Sequence, residues 1–90
     1  MGTALLTIKI MPESTETDLE KVKELAKQIV EEGKGKNTRF EEEPIAFGLK
    51  AIKLFFDLNE SFELDPIETA LNQIENVSSA QVVDMRRAIE

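Results

Sequence analysis

Leu49-Lys50-Ala51-Ile52-Lys53-Leu54-Phe55-Phe56-Asp57-Leu58 decides the fold. Side chains in a strand alternate between two faces, so Ile52, Leu54, Phe56 and Leu58 share one face. Leu49, Ala51, Lys53 and Phe55 share the other, and apolar residues on both faces mark a strand inside a sheet. A chain of 90 residues is too short for two domains. The rest of the sequence must therefore supply the flanking strands and one covering layer.

Working outward, Ala4 to Met11 alternates with Leu6, Ile8 and Ile10 on one face, and Pro12 ends it because it has no N–H for a ladder. Asn37 to Glu43 reads as a short edge strand with Thr38 and Phe40 inward. Ser79 to Arg86 reads as the last strand. Ala80 and Val82 face inward, but Asp84 falls on their parity while Val83 and Met85 do not, which predicts a bulge or an early end near Asp84.

Two helices separate these strands. Leu19, Val22, Leu25, Ala26, Ile29 and Val30 recur at helical spacing, and Gly33 is a natural stop. Thr17 with Glu20 predicts a capping box. Asp65-Pro66-Ile67-Glu68 predicts a second start with Asp65 as cap and Pro66 in the first turn. Ile67, Ala70, Leu71 and Ile74 form its apolar stripe, and its end is expected near Asn76.

The order β-α-β-β-α-β, with both helices on one face, predicts a single α+β domain over residues 1–90. It is a ferredoxin-like plait with a four-stranded antiparallel sheet in the order 4-1-3-2. Lys9, Lys53 and Phe55 are expected on the open sheet face.

Composition removes several kinds of chemistry. There is no cysteine and no histidine, so there is no thiolate, no disulfide and no imidazole base or metal ligand. No Walker loop or dinucleotide glycine motif is present. We therefore expect no enzyme activity, no bound cofactor, metal or nucleotide, and action by contact with another macromolecule. The net charge of −7, from 18 acidic and 11 basic residues, disfavours nucleic acid as a direct partner. No stretch is long enough to span a membrane, and no secretory leader is evident, so a cytoplasmic location is expected.

Three segments stand out as candidate sites. Pro44-Ile45-Ala46-Phe47-Gly48 joins two adjacent strands, yet carries Ile45 and Phe47 where a plain turn would be polar. Phe47 either folds back over the end of the core or is displayed to a partner. Met85-Arg86-Arg87 holds the only adjacent arginine pair, which is either solubilising charge or a contact for carboxylate or phosphate. Glu41-Glu42-Glu43 could suggest a hard cation, but neighbours on a strand point to opposite faces and do not converge.

Thr7-Ile8-Lys9-Ile10-Met11-Pro12-Glu13-Ser14, Glu42-Glu43-Pro44-Ile45-Ala46-Phe47-Gly48-Leu49 and Val83-Asp84-Met85-Arg86-Arg87 resemble the archaeal elongation factor 1-beta family. These are the nucleotide exchange factors of the GTPase elongation factor 1-alpha. The resemblance covers the whole chain and implies a ferredoxin-like fold that speeds GDP release in translation. In the eukaryotic counterpart a loop phenylalanine touches the GTPase, and a lysine near the C-terminus enters its magnesium site. By motif the phenylalanine is Phe47, and Arg87, with Arg86 beside it, takes the lysine's place. The GTPase contact is thus expected at Pro44, Ile45, Phe47, Gly48, Met85, Arg86 and Arg87. The alternative is a ferredoxin-like module that binds RNA or a small regulatory ligand.

Overall fold

A computed structural model describes residues 2–87. Its elements are β1 (Thr3–Pro12), α1 (Leu19–Glu32), β2 (Lys36–Pro44), β3 (Lys50–Asn59), α2 (Asp65–Asn72) and β4 (Val77–Arg87), with a 3-10 turn at Ala46–Gly48. The strands form one antiparallel sheet in the order β2-β3-β1-β4, which is the 4-1-3-2 order read from the other edge. β3 is internal, as its two apolar faces require, and β2 is an edge.

The core lies between one sheet face and both helices. Leu6, Ile8 and Ile10 of β1 and Ile52, Leu54, Phe56 and Leu58 of β3 meet Val22, Ala26 and Val30 of α1 and Ile67, Leu71 and Ile74 of α2. Each large apolar side chain buried there contributes about 1.5–3 kcal/mol. Among the described residues no polar or charged side chain is buried.

Three local expectations are corrected. Asp18, not Thr17, caps α1, and its carboxylate accepts from the Lys21 N–H at 3.3 Å. The Thr17 hydroxyl is occupied in the preceding turn, where it accepts from the Ser14 N–H. Asp65 does not cap α2. Leu64 takes that position without a side-chain bond, half-buried against the core, and its carbonyl accepts from Ile67 and Glu68. Burial of Leu64 fixes the chain entry, and Asp65 and Glu68 favour the positive end of the helix.

α2 also stops at Asn72 rather than Asn76. The Asn72 side-chain amide donates to the Ala80 carbonyl and accepts from the Ala80 N–H, both at 2.9 Å. It thereby ties the helix end to β4 by the pairing a strand neighbour would make.

The expected irregularity in β4 is a bulge. Ile8 pairs with Val82 and Thr7 with Asp84, so Val83 is the extra residue. The insertion reverses parity. Asp84 and Arg86 lie on the open face, while Met85, opposite Leu6, returns to the helix face.

Candidate functional site

The β2–β3 connection is held at its base before it displays anything. Glu42 and Glu43 point to opposite sides of the sheet, and each meets lysines. Glu42 accepts from Lys23 of α1 at 2.7 Å and lies 4.0 Å from Lys50. Glu43 lies 2.8 Å from Lys53 and 3.5 Å from Lys9. The ladder ends at the Pro44–Lys50 pair, and the Ile45 N–H then donates to the Leu49 carbonyl at 2.8 Å. Only Ala46, Phe47 and Gly48 remain for the tip.

Phe47 and Gly48 both take left-handed backbone conformations, at φ 64° and 77°. Gly48 is needed for its φ rather than for space, since an added Cβ would find only Thr15 at an ordinary 3.6 Å. Phe47 has no such licence, because a left-handed conformation costs an L-residue about 1–2 kcal/mol. That conformation turns the ring out, and Phe47 is 93% exposed. It does not fold back over the core. Ile45 is half-buried, so Phe47 is the large apolar side chain that the tip displays.

The clamps make the loop base sensitive to pH. The Lys23 hydrogen bond and charge hold the Glu42 carboxyl below its ordinary 4.5, and Lys53, with Lys9 behind it, does the same for Glu43. Glu43 in turn raises Lys53 above 10.5. A carboxyl depressed in the folded state stabilises fully above its ordinary value, and the effect is lost as pH falls through the lower folded value. A raised lysine stabilises fully below 10.5, and that is lost as pH rises through its folded value. In thermal melts, the Glu42→Gln/Glu43→Gln variant is expected to lose less melting temperature below pH 4.5 than the parent. Equal acid slopes would show that the clamps do not form.

The other candidate segment lies at the far end of the sheet. Arg86 Nε meets Asp84 at 3.0 Å, and Arg87 Nη2 meets Glu60 at 2.7 Å. Met85, exposed at the edge, borders a cleft of about 220 Å³ with Ala4, Leu6, Leu58, Phe62 and Leu64. Among the described residues the exposed large apolar side chains are Leu5, Phe47, Phe62, Val83 and Met85. All but Phe47 lie on this half of the molecule. Phe62 and Glu60 are additions to the site, hidden in the polar connection between β3 and α2. Ala88, Ile89 and Glu90, which extend this segment, lie outside the described residues.

The strands run so that Arg87 pairs with Ala4, while the β2–β3 loop leaves beside Pro12. Eight residues of β1 separate those points, roughly 26 Å at about 3.3 Å per residue. The sequence candidates therefore form two separate patches on a body 42 Å long. The open face between them is covered by its own charged side chains. Arg39 stacks over Phe55 at 5.5 Å, and the Lys9, Lys53 and Glu43 cluster covers the adjoining half. Among the described residues no group of three His, Cys, Asp or Glu side chains could hold a metal ion, and no helix is long and apolar enough to cross a membrane.

Fold and surface together define a ferredoxin-like α+β domain with an aromatic tip at one end of its sheet and an arginine pair at the other. Residues 5–88 match the family described as the EF-1 guanine nucleotide exchange domain, and the chain belongs to that family. Relatives span nearly its whole length. Elongation factor 1-beta of Methanococcus maripaludis is 40% identical over 86 residues, covering 94% of this chain and 97% of that protein. Elongation factor 1-beta of Methanosarcina barkeri is 42% identical over 88 residues, 97% and 99% of the two chains. That of Methanothermobacter thermautotrophicus is 39% identical over 88 residues, 97% and 98%. The chain is thus an archaeal-type translation factor of the nucleotide-exchange class.

Proposed function

We propose that this domain promotes exchange of GDP for GTP on elongation factor 1-alpha. The two ends of its sheet would contact the GTPase, and the arginine end would weaken nucleotide and magnesium binding. The observation that carries the reading is Phe47, an aromatic ring fully displayed on a strained tip above a clamped base. Backbone strain and an exposed phenylalanine both oppose folding of the isolated chain, and contact with a partner offsets both.

The mechanism is linkage. A factor that binds the nucleotide-free GTPase best lowers its affinity for nucleotide by the same coupling free energy. Magnesium bridges phosphates to protein in such sites, so a guanidinium arriving there competes with the metal for the same oxygens. Arg87, 78% exposed at the end of β4, is the candidate cation. Pro44, Ile45 and Gly48 would set the aromatic tip, and Met85 and Phe62 would bring apolar surface beside the arginines. No covalent bond changes in this scheme. The site acts in the cytoplasm, where translation takes place.

The RNA-binding and small-ligand readings draw less support. The open sheet face carries Arg39 stacked on Phe55 and a lysine–glutamate cluster where bases would need free rings. Stopped-flow release of fluorescent GDP from the elongation factor 1-alpha of the same organism tests the proposal. We expect release to accelerate with the concentration of this domain and to saturate. Release that stays at the intrinsic rate would sink it.

A further inference from the structure

The two arginines differ in what holds them. Arg86 meets Asp84, two residues back on the same strand and face. Arg87 is held from elsewhere in the chain, by Glu60 in the turn that follows β3. Glu60 is itself fixed. Its N–H donates to the Gly2 carbonyl at 3.0 Å, and across it the side chain of Asn59 accepts from the N–H and hydroxyl of Ser61 at 2.9 and 2.7 Å.

Gly2 completes the seat. A Cβ there would collide with the Glu60 carboxylate and would lie 3.8 Å from Arg87 Cγ. The missing side chain thus lets the stem of Arg87 lie along Gly2 and its guanidinium reach Glu60. Arginine has five N–H donors, and Glu60 engages the Nη2 end of the fork. The side chain stays 78% exposed, so the rest of the fork remains presented to a partner.

We infer that Glu60 is a positioning residue for Arg87, selecting the rotamer in which the guanidinium meets the anionic oxygens of the GTPase's magnesium site. This rests on the exchange reading above. An exposed ion pair adds little to stability. Its effect lies in ordering a long, flexible side chain before contact, and the cost of ordering one such side chain on binding corresponds to roughly two- to tenfold in rate.

The test has two arms. In the first, ¹⁵N relaxation of the arginine Nε–Hε groups is measured in the free domain, where Arg39, Arg86 and Arg87 are the only signals. Arg87 is expected to be ordered in the parent, and Glu60→Ala to loosen it while leaving Arg86, tied through its own Nε to Asp84, unchanged. A freely mobile Arg87 in the parent, or no change in the variant, overturns the inference whatever the domain does to a GTPase.

In the second arm, GDP release is measured for the parent, Glu60→Ala, Arg87→Ala and the double variant, with Arg86→Ala as a control background. Glu60→Ala should slow exchange roughly two- to tenfold, and Glu60→Gln, which keeps an acceptor, by less. The loss should vanish in the Arg87→Ala background and persist in the Arg86→Ala background. An unchanged or faster Glu60→Ala domain, or a loss that survives in the Arg87→Ala background, overturns the inference. If Glu60→Ala fails to fold, Gly2→Ala, which crowds the same carboxylate, should reproduce the loss. A parent that does not accelerate release sinks the exchange reading instead, and the relaxation arm still decides whether Glu60 seats Arg87.

Discussion

Replacing Phe47 with alanine is expected to slow GDP release at subsaturating domain by about thirtyfold or more, the equivalent of a hot-spot loss of ~2 kcal/mol. The melting temperature should not fall. Almost all of the ring is in solvent, so its removal opens no cavity. The φ of 64° is a cost that alanine shares and glycine escapes. Phe47→Gly should therefore be as slow in exchange as Phe47→Ala and at least as stable as the parent. That pairing of lost function with retained or increased stability separates a contact residue from a packing residue. A large drop in melting temperature in either variant would make Phe47 a lid on the core. Full exchange activity would leave the strained tip without a role. Phe56 is the internal contrast: it is 1% exposed in the central strand, and its truncation would act through stability.

What could be read without coordinates follows from which forces are local. Alternation in β1 and β3 and the apolar stripe of α1 report burial directly, so they define the plait and the two edges. The parity break at Asp84 was readable as an irregularity because period-two alternation allows few explanations, and the bulge at Val83 is its resolution. The caps were misplaced by one residue for a physical reason. Thr17 and Asp18 can both cap, and the choice depends on the Ser14–Thr17 turn, which already occupies the Thr17 hydroxyl. The end of α2 depended on an amide that pairs with backbone eight residues away, which no propensity encodes.

The site followed the same division. Phe47 and Arg86-Arg87 were visible as residue types out of place in their surroundings, but the direction of the Phe47 ring depended on a backbone conformation that spacing does not contain. In the sequence, Glu42 and Glu43 show only as strand neighbours whose carboxylates do not converge. Their role as clamps needs Lys23 from α1 and Lys9 from β1, brought to them by tertiary packing and strand order. Glu60 and Phe62 were hidden because only the register of β1 with β3 and β4 brings Gly2, Glu60 and Arg87 together.

The second large effect belongs to the arginines. Changing both Arg86 and Arg87 to alanine is expected to reduce exchange by about thirtyfold or more, since removing one side of a desolvated, hydrogen-bonded charge pair costs ~2–5 kcal/mol. Substitution is the cleaner variant, because deleting residues 86–90 would also remove the Leu5–Arg86 and Ala4–Arg87 ladder pairs. Arg87→Lys should retain much of the activity if a positive charge at the magnesium site is what matters, but lose it if the planar fork is required. Sites more than about 10 Å apart that share no partners behave additively, and roughly 26 Å of sheet separates the arginines from the aromatic tip. The Phe47→Ala, Arg86→Ala, Arg87→Ala variant should therefore lose the product of the separate factors. A combined loss no greater than either alone would mean that the two ends act as one cooperative contact, with docking at one end preceding any benefit from the other. A loss confined to the Phe47 variants would reduce the arginines to surface charge and return the displacement of magnesium to the GTPase itself.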